Sequence, residues 1–196
     1  MSRKLSFALS FALLVLTAPV VRAAETFDID HVHSSVTFKI RHLVSNVVGR
    51  FGDFAGKITV DHEDMTKSAV EFTIQATSID TDNENRDNHL RSGDFFAVDS
   101  FPQWSFKSTK MEKAGLNSYN VSGDFTLRGV TKPITVPVDV LGFTPGPNGG
   151  TMAGFETSFK INRKDYGVQW NKALDAGGFI LGDEVQVTIN VEAGAK

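Results

Sequence analysis

Eight stretches of this chain alternate apolar and polar residues, and that period of two limits the possible folds more than any other feature. It gives each extended segment one apolar face and one wet face. Val36, Phe38, Ile40 and His42 make the first clear row, opposite Thr37, Lys39 and Arg41. Ile58 and Val60 follow the Gly-punctuated GRFGDFAG, and Val70, Phe72, Ile74 and Ala76 make the third row. Trp104 and Phe106 come next, then Tyr119, Val121, Phe125 and Leu127 with Gly123 in register. Ile134 to Val140, Phe155 to Ile161 and Val185 to Val191 complete the set. Turn-forming stretches such as KAGLNS, RGVTKP, TPGPNGG and GGFILGDE separate the rows. None has the length or composition of a linker and no repeat is present, so the rows belong to one domain.

A single segment breaks the pattern. Thr81-Asp82-Asn83-Glu84 reads as a capping box, with Thr81 as N-cap, and predicts a helix over about 82–92 that stops at Gly93. It runs straight into GDFFAVDSFPQWSF, five aromatic rings in fourteen residues. There Phe95, Phe96 and Phe101 are expected to plug one end beneath the helix, with Trp104 and Phe106 facing inward.

The first 23 residues carry Arg3 and Lys4, an uncharged apolar run from Leu5 to Val21, and small residues at 21 and 23. That is the pattern of a secretory leader cut after Ala23, leaving a domain over 24–196 outside the cytoplasm. No second run approaches a membrane span, so no stable membrane insertion is expected. The chain has no cysteine, which excludes disulfides, thiol catalysis and thiolate metal sites. Without a disulfide the domain depends on its apolar core, and its length permits one. Losing Arg3, Lys4 and Arg22 takes the 20 basic residues to 17 against 23 acidic, formally −6. This balance argues against nucleic acid and anionic membranes as partners.

Eight strands with one apolar face have two main solutions, a sandwich or a closed up-and-down barrel. Closure removes the exposed edges, and an eight-stranded barrel either packs solid or holds one small ligand.

Catalytic signatures are missing: there is no Gly-x-Ser-x-Gly, no phosphate loop and no His-Glu-x-x-His. His31 and His33 share a strand face at a spacing that metal sites use, and His42 belongs to an inward row. They define the alternative of a metal-binding or enzymatic barrel built on His31, His33 and His42. Arg86, His89 and Arg91 on the helix are candidates for holding a polar head group beside an apolar channel. The acids around them, Asp80 to Asp99, suit surface ion pairs better than acid–base catalysis. Asp165, Tyr166 and Trp170 read as loop packing first and pocket-rim contact second.

Several separated motifs resemble those of the YceI-like family of periplasmic, polyisoprenoid-binding, lipocalin-like proteins. They are Asp30-x-x-His33-Ser34 with Val36-x-Phe38-x-Ile40-x-His42-Leu43, then Gly49-x-Phe51 and Phe54-x-Gly56. The middle signature, Arg86-Asp87-x-His89-Leu90-Arg91-Ser92-x-Asp94-Phe95-Phe96, is the most specific. Leu127-x-Gly129-Val130-Thr131-Lys132-Pro133, Gly154-Phe155-Glu156 and Arg163-x-Asp165-Tyr166-Gly167 follow in order. The resemblance implies an all-β, single eight-stranded antiparallel up-and-down barrel with one short helix, enclosing an apolar tunnel and having no shared catalysis. On that basis the inward rows supply ten candidate lining residues: Phe38, Ile40, Phe72, Ile74, Trp104, Phe106, Phe125, Leu127, Phe155 and Phe159. His42, Arg86, His89 and Arg91 are the head-group candidates. The ligand expected is an isoprenoid lipid of quinone or polyprenyl type, with no covalent cofactor and no metal. A homodimer is compatible, and the place of action is the periplasm.

Overall fold

The computed structural model describes residues 24–147, 149–175 and 177–195; the leader reading of residues 1–23 lies outside them. Ten strands form one antiparallel sheet that closes on itself. They are β1 (Glu25–His42), β2 (Ser45–Phe51), β3 (Phe54–Val60), β4 (Ala69–Gln75), β5 (Ile79–Asp80), β6 (Gln103–Lys113), β7 (Ser118–Leu127), β8 (Val130–Pro145), β9 (Thr151–Asn162) and β10 (Leu181–Ala195). β2 and β3 both run antiparallel to β1, against its later and earlier parts, and break only at Gly52 and Asp53. They therefore act as one wall strand, and β5 is a two-residue addition on β2. The wall has eight positions, each strand beside its neighbours in sequence. β10 closes the ring against β1 with Phe27 opposite Ala195 and Ile40 opposite Val185.

The first strand begins at Glu25, well before the expected row at Val36. Its register shifts between Asp30 and Ser35, a bulge that hides the alternation of the early part. The helix α1 covers Glu84–Arg91 rather than 82–92, and its cap differs from the expected one. Asn83 accepts from the Arg86 amide at 3.0 Å, while Asp82 takes a left-handed turn at φ 57°. Thr81 is committed elsewhere: its amide donates to the buried Asp87 carboxylate at 3.0 Å and its hydroxyl accepts from Arg86 Nε at 2.7 Å. The capping-box reading fails because that hydroxyl ties the helix to the barrel instead of starting it.

Two interior glycines show how the rings are arranged. A methyl group on Gly49 would stand 2.5 Å from Phe38 Cζ, and one on Gly123 would stand 2.6 Å from Phe106 Cζ. The phenyl rings thus lie across bare backbone of the neighbouring strand. They flatten against the wall and leave the axis of the barrel open.

Candidate functional site

A cavity of about 490 Å³ runs inside the barrel, within the 300–1,000 Å³ range of small-ligand pockets. Its wall is almost wholly apolar and reaches from Asn85, Arg86 and His89 on α1 to Met65 and Tyr119 toward the other end. All ten side chains expected on the inward rows lie on this wall.

The two ends differ. Around α1 the cavity opens between three elements: the helix with Asn85, Arg86 and His89, the β1–β2 hairpin with His42 and Val47, and the β9–β10 loop with Trp170 and Leu181. Asn85 and Arg86 line the cavity and are also exposed, which marks this rim as a mouth. At the far end Phe27 is completely buried, packed tilted against Phe143 at 5.9 Å and edge-on to His62 at 6.3 Å. Ala153, Ala193 and Ala195 let the wall close in on it. His62 is held by Glu25 at 2.7 Å.

Of the four head-group candidates, His42, Arg86 and His89 reach the cavity and Arg91 does not. Arg91 turns away to the barrel, donating to the Thr77 and Ile79 carbonyls at 2.9 and 2.7 Å. It clamps the helix down onto the turn at Ala76–Ser78 and the start of β5 through these two carbonyls. His89 packs edge-on to Phe95 at 5.0 Å and Trp170 at 5.1 Å, and its Nε2 donates to the Asp94 carboxylate at 2.9 Å. Phe95 and Phe96 line the cavity rather than merely plugging it, whereas Phe101 lies off the wall, against Gly129.

Arg163 anchors the loop side of the mouth. It is 4% exposed and donates to the carbonyls of Gly182, Val168 and Trp170, each at 2.8 Å, and to Asp183 at 3.2 Å. Burial lowers its pKa and raises that of Tyr166, with the Asp183 carboxylate partly offsetting the first effect. Trp170, for which pocket-rim contact is the second reading, lines the cavity, whereas Arg163 and Phe51 were not among the residues expected there. Arg163 sits in a turn with no periodicity, and Phe51 falls in the glycine-rich break, so pattern reading passes over both. Against Phe51 and Phe96, at 4.7 and 4.8 Å, lies Trp104, whose buried indole N–H has no hydrogen-bond partner.

The histidines of the metal alternative are not gathered. Among the described residues, the one group of three potential ligating side chains is Asp30, His33 and Glu192, without His31 or His42. His33 Nδ1 is 2.8 Å from Asp30 on the outside of β1, and His42 is on the cavity wall.

A family model for the YceI-like domain matches residues 27–193. Protein YceI of Shigella flexneri is 38% identical over 192 residues, covering 97% of each chain. The crystal structure of Burkholderia cenocepacia BcnA superposes with a TM-score of 0.73 at 26% identity, covering 84% of this chain and 98% of that one. A polyisoprenoid binding domain from Saccharophagus degradans, implicated in plant cell wall breakdown, has a TM-score of 0.65 at 15% identity, covering 87% and 98%.

Proposed function

The chain belongs to the YceI-like family, and from that premise we propose that it is a non-enzymatic periplasmic carrier for a polyisoprenoid or similar long-chain amphiphile. The observation that carries this reading is the predominantly apolar cavity of about 490 Å³, with His42, Arg86 and His89 at its α1 mouth. An apolar tail would lie along the wall of flattened rings, with the head near His42, Arg86 and His89. Each buried methylene contributes about 0.8 kcal/mol, so ten offer roughly 8 kcal/mol before the entropy of ordering the chain is subtracted. Such a wall discriminates poorly between tails, about 1–3 kcal/mol per methylene, and leaves selection to the head. The Saccharophagus degradans domain, which shares the fold, is itself described as polyisoprenoid binding. Quinone and polyprenyl lipids both fit this description.

The test is to express the full chain with export, purify the barrel and extract it with organic solvent for mass spectrometry. A co-purifying isoprenoid, or uptake of one added in detergent, is expected, together with an intact mass that begins at Ala24. A barrel that yields no lipid and takes up none overturns the reading.

A further inference from the structure

We infer that the rim of the mouth is a docking surface for a lipid bilayer, formed by the tip of the β1–β2 hairpin and the β9–β10 loop. This rests on the lipid-binding reading above. Among the described residues, four of the nine exposed large apolar side chains sit on these two segments: Leu43 at 44%, Val44 at 90%, Leu174 at 37% and Phe179 at 61%. The segments are bonded to each other, Leu43 N donating to the Ile180 carbonyl at 2.9 Å. They also continue into the mouth, because His42 and Leu181 flank them, pair in register and line the cavity. By contrast, Leu116 stands alone on the β6–β7 turn.

The hairpin turn supplies an independent observation. Two residues, Leu43 and Val44, join His42 to its partner Ser45. Leu43 takes φ 48°, a left-handed conformation in which such turns favour glycine or asparagine. A leucine there gains little burial and a valine beside it almost none, so the pair serves neither the turn nor the core. Strain kept without a structural return points to a function.

The occupant follows from the cavity. Its cargo is nearly insoluble in water, so loading requires the mouth to meet a phase that holds apolar chains, and a bilayer is that phase. Charge at the rim is mixed. Arg41 donates to the Leu43 carbonyl at 2.8 Å, Lys164 lies 5.6 Å over the Phe179 ring, and Lys172 is exposed. Asp175 is on the same loop, and Asp183 is already held by Arg163 and Lys164. The contact is therefore chiefly apolar, with cations placed to meet phosphate head groups, and it should depend only weakly on salt.

The barrel, purified after export, is sedimented with phosphatidylcholine vesicles and with vesicles carrying added phosphatidylglycerol. Binding to both is expected, and Val44→Ser with Phe179→Ser should lower partitioning about tenfold or more, whereas Leu116→Ser should not. Leu43→Asn is the companion variant: it suits the turn, so Tm should rise by about 2 °C while vesicle binding falls. Failure of the native protein to sediment, or full binding by the double variant, overturns the inference. So does a dimer in solution that the double variant converts to monomer without any vesicle binding. Uptake of isoprenoid from detergent is measured in parallel. Normal uptake without vesicle binding refutes the docking surface alone, and vesicle binding without uptake refutes the carrier reading while the surface stands.

Discussion

The two ends of the barrel are built from the same strands and behave as opposites. At the far end Phe27 has no solvent contact, packed among Ala153, Ala193 and Ala195 and against Phe143. At the α1 end the same kind of residue lies flat on the wall, with Phe38 over Gly49 and Phe106 over Gly123. The difference lies in where the small residues stand. Small residues around a ring let the wall close on it; a glycine beneath a ring draws it to the wall and opens a space. Phenylalanine content therefore does not distinguish a packed barrel from a hollow one, whereas the partner of each ring does.

This contrast can be broken by substitution. The largest effect should come from Phe27→Ala, which removes a ring packed on every side and should cost about 3–5 kcal/mol by urea unfolding. A loss near 1 kcal/mol would show that this end is not filled. Phe72→Ala, on the cavity wall, should cost less, about 1–2 kcal/mol, because its ring already borders a void. It should also weaken isoprenoid uptake, and equal costs for the two variants would erase the distinction. Gly49→Ala tests the wall directly. Its methyl group cannot coexist with Phe38 Cζ at 2.5 Å, so the ring must swing into the cavity. Uptake should fall about tenfold, equivalent to about 1.4 kcal/mol of binding, and Tm should fall as well, because the methyl group would also stand 2.8 Å from the buried Thr81 Cγ2.

The smallest effect concerns Asp30 and His33, beside the bulge that separates the two parts of β1. Their hydrogen bond lowers the Asp30 pKa from 3.8 and raises that of His33 from 6.5, with Glu192 reinforcing the second shift. The raised histidine contributes stability that is fully present below 6.5 and is lost as pH rises through its folded value. The lowered aspartate contributes above 3.8 and loses it as pH falls through its folded value. The link is thus strongest between about pH 4 and 6.5. Both groups are exposed, so Tm should barely change, but Asp30→Asn should return the His33 titration, followed by NMR, toward 6.5.

Much of this was legible in the sequence. The eight rows correspond to the eight wall positions, because a sheet wetted on one face must alternate, and every predicted wall residue faces the cavity. What escaped has physical causes. The bulge after Asp30 resets the alternation, so the early part of β1 and the packed end it supports were invisible. Asn83, not Thr81, caps the helix, since the neighbouring Asp82 turns left-handed and frees Thr81 for Asp87 and Arg86. Arg91 carries the same charge as Arg86 but is taken up by the Thr77 and Ile79 carbonyls, a choice that only the folded chain decides. Arg163 and Trp170 owe their places to hydrogen bonds across a loop, which leave no periodic trace.

The closing pair sets an order of events for the chain as it is made. Every other neighbour in the wall is a neighbour in sequence, so hairpins can form as the chain emerges, but β1 and β10 pair positions as far apart as Phe27 and Ala195. Closing so long a loop is the slow step, with its entropy lost before the contacts are gained. Until the last strand arrives, β1 and β9 present open edges and the cavity has no fourth side. The closed cavity therefore arises all at once, when β10 (Leu181–Ala195) pairs with β1, and a chain cut short before β10 would lack the enclosure altogether.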